Sequence, residues 1–164
     1  MLLMIICVFT IGTRGEGIRF FKGSFQDALK QARAENKKVF VDFYTTWCGP
    51  CQLMSKNIFP DDEVGEYFNK YFVNYQINAE DKAFLPEVKR YGVAAYPNML
   101  ILDTEGNVLG RQLGATDKNG FLRFAKLASH LHATLVADGV KAGEPCRRAV
   151  GRSGIYRSLV RSRS

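Results

Sequence analysis

Two cysteines set three apart at the end of a buried strand constrain this chain more than any other feature. Val39-Phe40-Val41-Asp42-Phe43-Tyr44 is β-branched and aromatic on both faces, the pattern of a central strand, and only Asp42 interrupts its apolar character. Thr45-Thr46-Trp47-Cys48-Gly49-Pro50-Cys51 follows at once. The polar residues and the Gly-Pro pair mark a loop, and a helix can begin near Cys48. A strand with two apolar faces must be covered on both, so the rest of the chain has to supply helices for each side of a sheet.

The flanking sequence supplies them. Residues 18–21 read as a short strand, and Ser24-Phe25-Gln26-Asp27 has the Ser-x-x-Asp form of a helix start, with the helix running to about Glu35. Pro60-Asp61-Asp62-Glu63 places proline and acids at another helix start that turns Val64, Tyr67, Phe68 and Tyr71 inward. Residues 72–77 read as a strand, 86–91 as a short helix closed by Gly92, and 98–102 as a strand whose turn at 103–107 leads to a hairpin partner at 108–112. Apolar residues at Phe121, Leu122, Phe124, Ala125, Leu127, Ala128 and Leu131 predict a terminal amphipathic helix from Thr116 or Asp117 to about Leu131. This alternation predicts an α/β fold, a mixed sheet with helices on both faces.

A Cys-x-x-Cys at a helix start has a definite chemistry. Unpaired backbone N–H groups and the helix dipole favour the first thiol as an anion, lowering its pKa from about 8.5 toward about 7. Cys48 is thus the expected attacking thiolate, and Cys51, one turn inward, can break the mixed disulfide that forms with a substrate. Gly49 and Pro50 keep the pair close while limiting how the turn deforms. A zinc site would need two further ligands at suitable spacing, and the chain has no second Cys-x-x-Cys or His cluster; His130 and His132 lie far along it. A purely structural disulfide suits cysteines three apart at a helix start less well than exchange does. Burial of Asp42, six residues before Cys48, would raise its pKa and let it take the proton of the second thiol, the alternative being an acid at a strand edge in a hydrogen bond. Tyr96-Pro97 precedes a strand, where a proline can be cis, although trans is the default.

These residues resemble the thioredoxin superfamily. The run from Val39 to Cys51 is similar, nearly residue by residue, to the family's active-site strand and loop. Tyr91-Gly92-Val93-Ala94-Ala95-Tyr96-Pro97 is similar to the segment that brings a cis-proline against the cysteine pair. The resemblance covers about residues 17–132. It implies the thioredoxin fold, protein-disulfide oxidoreductase activity through Cys48 and Cys51, a cis bond before Pro97, Trp47 and Tyr96 beside the substrate groove, and Asp42 in the buried-acid position. No cofactor and no metal are implied. Two departures stand out: the strand Phe72-Val73-Asn74-Tyr75-Gln76-Ile77 has no lysine for the buried acid, and Asn98 replaces the usual threonine after the proline. The long N-terminal helix and the segment Phe59-Pro60-Asp61-Asp62-Glu63-Val64 look more like exported bacterial thioredoxin-like proteins than the short cytosolic form.

The two ends differ from this core. With 164 residues the chain has room for one domain of roughly 100–150 residues and short extensions. Residues 1–16 read as a signal peptide or an N-terminal apolar segment: MLLMIICVFTI is uncharged and apolar, too short to span a bilayer, which takes about 20 residues, and lacks a basic residue before Arg14. Export to a bacterial periplasm follows if it is cleaved, and Cys7 leaves with it; a cytoplasmic location follows if it is not a signal. Residues 133–164 read as a basic, disordered tail carrying Cys146. The net charge is +7, and residues 135–164 hold seven basic residues against two acidic ones, so a nearly balanced core remains. Charge confined to such an end gives no reason to expect a nucleic-acid partner. The expected partners are disulfide-containing proteins and an electron donor, met by a monomer with no stable membrane insertion. The competing function is a chaperone-like binding module that holds unfolded chains at Trp47, Tyr96 and Pro97 without redox turnover.

Overall fold

Alternate residues of Lys38–Tyr44 (β1) are buried on opposite sides of a sheet, and this strand frames the rest. The computed structural model describes residues 16–137, with side chains described as far as Ser129. The N-terminal apolar run, the basic tail beyond Ala137, Cys7 and Cys146 lie outside the described residues. β1 pairs in parallel with Phe72–Asn78 (β2) and antiparallel with Asn98–Leu102 (β3), which pairs antiparallel with Val108–Leu113 (β4), giving the order β2-β1-β3-β4. The sheet is mixed, as the sequence predicts.

Each face has its own core. Val39, Val41 and Phe43 join Tyr75, Ile77, Leu100 and Leu102 beneath Phe25–Ala34 (α1), which lays down Phe25, Ala28, Leu29 and Ala32. On the opposite face Phe40 is packed with Phe59, Phe68 and Phe121, rings brought in by the segment after Gly49–Leu53 (α2), by Asp62–Tyr71 (α3) and by Lys118–Ala137 (α5). The helix starts are chemically fixed: Ser24 Oγ accepts from the Asp27 N–H at 3.1 Å, and Asp61 Oδ1 accepts from the Glu63 and Val64 N–H groups at 3.0 and 3.2 Å. Leu85–Arg90 (α4) ends at Tyr91, and Gly92 follows with φ +58°, a conformation that favours glycine.

Several expectations need correction. Residues 18–21 form no strand, only a single bridge between Phe20 and Asn74. Asparagine side chains take the ladder's place there: Asn69 Oδ1 accepts the Arg19 N–H at 2.9 Å, and Asn74 Nδ2 donates to the Arg19 carbonyl at 3.2 Å. Tyr71 is exposed rather than inward, because it ends α3 and Phe72 takes the buried place beside it. The last helix continues to Ala137, past Leu131 and past the point where the apolar periodicity fades, since residues 133–137 contain no glycine or proline to stop a helix already formed. A π-helical turn, Met54–Ile58, extends α2, and a 3₁₀ turn, Lys82–Phe84, precedes α4; neither has a signature in the sequence.

Candidate active site

The loop that carries the cysteines leaves the C-terminal end of β1 and is tied down from the neighbouring connection. The Tyr44 carbonyl accepts from the Ala79 N–H at 2.9 Å. One residue further along that connection, Glu80 Oε2 accepts from both the backbone N–H and the hydroxyl of Thr46, at 2.8 and 2.7 Å. These bonds, with Trp47 adding in the same direction, hold the Glu80 carboxyl below its ordinary range, so it stays ionised as an anchor. The Gln52 side chain donates back to the Thr46 carbonyl at 3.2 Å. The loop is therefore preset before any substrate arrives.

Cys48 is the residue at which α2 begins. Its backbone is extended (φ −75°, ψ 103°), and its sulfur accepts from the Cys51 N–H at 3.1 Å. Pro50 in the first turn has no N–H to leave unsatisfied and a φ suited to the helix. With Cα atoms 5.3 Å apart, the two cysteines are joined as a disulfide. Both are 4% exposed. In the dithiol form the same N–H and the helix start favour negative charge on Cys48 sulfur.

The residues expected to line a groove, Trp47, Tyr96 and Pro97, are placed as follows. Trp47 is 70% exposed and meets Tyr96 edge-on, ring centroids 6.1 Å apart. The Tyr96-Pro97 bond is cis, as the resemblance implies. Asn98 pairs with Phe43, so Pro97 stands at the same end of the sheet as the loop leading to Cys48. Gly114 donates its N–H to the Pro97 carbonyl at 2.8 Å.

Asp42 is 2% exposed, in register with Gln76 on β2 and Met99 on β3, on the face opposite Val41 and Phe43. Gln76 Nε2 donates to Asp42 Oδ2 at 3.1 Å, while Oδ1 has no hydrogen-bond partner among the described residues. Burial pushes the carboxyl up to about 6, opposed by the Gln76 bond. Of the residues around the site that sequence reasoning misses, Gln76 is the most telling: it occupies the strand position that faces the acid, and only the register of β1 against β2 reveals it. Glu80 is the other, and its spacing from Thr46 carries no motif.

A bonded cysteine pair at a helix start, on a loop tied down at the end of a central strand, has the geometry that disulfide exchange requires. A family model described as thioredoxin-like domain matches residues 25–129, and the chain belongs to that family. Among solved structures, a Bacteroides thetaiotaomicron protein provisionally described as a disulphide-isomerase is 43% identical, with a TM-score of 0.63, over 71% of this chain and 96% of that one. The thiol:disulfide interchange protein DsbD of Yersinia pestis is 29% identical over 104 residues, which are 63% of this chain but 17% of DsbD. This chain thus spans a small part of that relative. Thioredoxin 2 of Chlorobaculum tepidum is 27% identical over 69% of this chain and 96% of its own length.

Proposed function

We propose that this protein reduces or exchanges disulfides in exported protein substrates, with Cys48 as nucleophile and Cys51 as the resolving thiol. The observation that carries this reading is the sulfur of Cys48 at the helix start, accepting the Cys51 N–H, with Cys51 in bonding reach. In the dithiol form the Cys48 thiolate attacks one sulfur of a substrate disulfide; the other substrate sulfur leaves with the electron pair and takes a proton. Asp42, kept partly protonated near neutral pH by burial, exchanges the proton of Cys51. The Cys51 thiolate then attacks Cys48 sulfur, the second substrate thiol departs, and the Cys48–Cys51 disulfide is left holding the two oxidising equivalents. A separate electron donor returns it to the dithiol.

Trp47, Tyr96 and Pro97 support docking of the substrate chain beside the pair, and Gly49 and Pro50 hold the geometry of the turn. The apolar N-terminal run supports export, to a bacterial periplasm, and a monomer without stable membrane insertion is the proposed form; among the described residues no helix is long and apolar enough to cross a membrane. In the full chain, Cys51→Ser should accumulate a Cys48–substrate mixed disulfide when mixed with an oxidised unfolded protein, seen as an added mass that dithiothreitol removes. Binding of the client without any covalent adduct would contradict exchange and favour a chaperone-like module.

A further inference from the structure

Arg111 joins both ends of the loop that presents Tyr96 and Pro97. Its Nη1 donates to Asn98 Oδ1 at 2.9 Å and its Nη2 to the Tyr91 carbonyl at 2.5 Å. Tyr91 closes α4 and Asn98 opens β3, so residues 92–97 run between the two acceptors. Both acceptor residues are buried, Tyr91 at 5% and Asn98 at 2% exposure. Arg111 itself stands on β4 in register with Leu100, anchored on the sheet rather than on the loop it holds. The Gly114 N–H on the Pro97 carbonyl adds a backbone tie just beyond the end of that strand.

The choice of side chain has a physical reason. The two oxygens belong to different elements and are neutral, and a planar guanidinium can reach both with separate N–H groups in one fixed geometry. A lysine ammonium on a flexible stem can approach one without setting the angle to the other. The carbonyl at the end of α4 also carries the negative pole of that helix, which favours a cation there. Asn98, a departure from the usual residue after the proline, supplies the second acceptor.

We propose that Arg111 is a positioning residue for disulfide exchange: by holding Tyr91 and Asn98 together it fixes where Tyr96 and Pro97 stand relative to Trp47, and so how a polypeptide disulfide docks. This rests on the function proposed above. It acts through the loop and touches neither sulfur in the chemistry, so it should weigh on substrates large enough to contact the loop and spare small ones.

The test compares the intact protein with Arg111→Met, which keeps the aliphatic stem and removes the fork. Three quantities are read: kcat and KM for insulin reduction, the rate with the small disulfide 5,5′-dithiobis(2-nitrobenzoate), and the emission of Trp47, the chain's single tryptophan. Loss of one charge-assisted clamp should lower kcat/KM for insulin about tenfold, mainly through KM, with less than about twofold change on the small disulfide. Trp47 emission should shift with its Tyr96 neighbour. Arg111→Lys should not restore insulin turnover, and it carries the same comparison if Arg111→Met does not fold. Equal losses on both substrates, or an unaltered Trp47 spectrum, would overturn the proposal. If the unmodified protein failed to reduce insulin, the proposed function would fall, while the Trp47 emission would still decide whether Arg111 sets the loop.

Discussion

Burial of Asp42 sets the cost of its charge against the stability of the fold. Its carboxyl rises from 3.8 to about 6 on burial, so the folded protein binds a proton that the unfolded chain has already released. Proton binding therefore contributes stability that is full below pH 3.8 and is lost as pH rises through about 6. A rise of that size corresponds to roughly 3 kcal/mol, an upper scale for the cost of keeping this acid charged at neutral pH. Asp42→Asn should accordingly stabilise the disulfide form by up to about 3 kcal/mol at pH 7.5 and by little near pH 3.5, measured by urea unfolding at both. An equal effect at the two pH values would mean that the carboxyl does not titrate as burial requires. At this scale Cys48, Cys51 and the buried acid are legible in the sequence, because their meaning lies in local spacing and in one charge within an apolar strand. Gln76, Glu80 and Arg111 are not: each acts across a strand register or a loop, and no neighbouring residue in sequence announces its partner.

The elements show the same division between local and distant causes. Caps at Ser24 and Asp61 and the glycine after α4 are written within a few residues, and the helices begin and end close to where those signals stand. The segment leading into α1 obeys a distant constraint instead. A Cβ on Gly65 of α3 would lie 1.9 Å from the Glu16 carbonyl oxygen and 2.6 Å from Gly17 C, so the N-terminal segment crosses the helix where only glycine fits. Gly65→Ala should destabilise the protein by about 1–3 kcal/mol through overpacking, despite alanine's better helix propensity. Urea unfolding gives the cost, and faster hydrogen exchange at the Ile18 and Phe21 amides, which donate to Phe59 and Asn74 carbonyls, would place the strain in this segment. A stabilised variant would contradict the close crossing. The same segment is where a strand is expected from the sequence and side-chain amides take its place, a replacement that periodicity cannot disclose.

At the scale of the molecule, the order of strands and helices follows from hydrophobic pattern, and the pattern determines the site by placing two loops at one end of the sheet. β1 delivers the cysteine loop and β3 begins just after Pro97, because their antiparallel register sets Phe43 opposite Asn98. The apolar face of α1 and the aromatic cluster around Phe40 then cover the two sides, leaving Trp47 and Tyr96 at the rim. The topology is legible from alternation of elements and from the resemblance, whereas the π-helical extension of α2 and the grip of β4 on the proline loop arise from packing between parts distant in sequence. The central claim is that this arrangement turns over protein disulfides through Cys48. Insulin reduction with dithiothreitol as donor, comparing the full chain with its Cys48→Ser variant, tests it most directly: rapid turnover that the variant loses to the uncatalysed rate is the predicted result, and equal rates for the two proteins would contradict it.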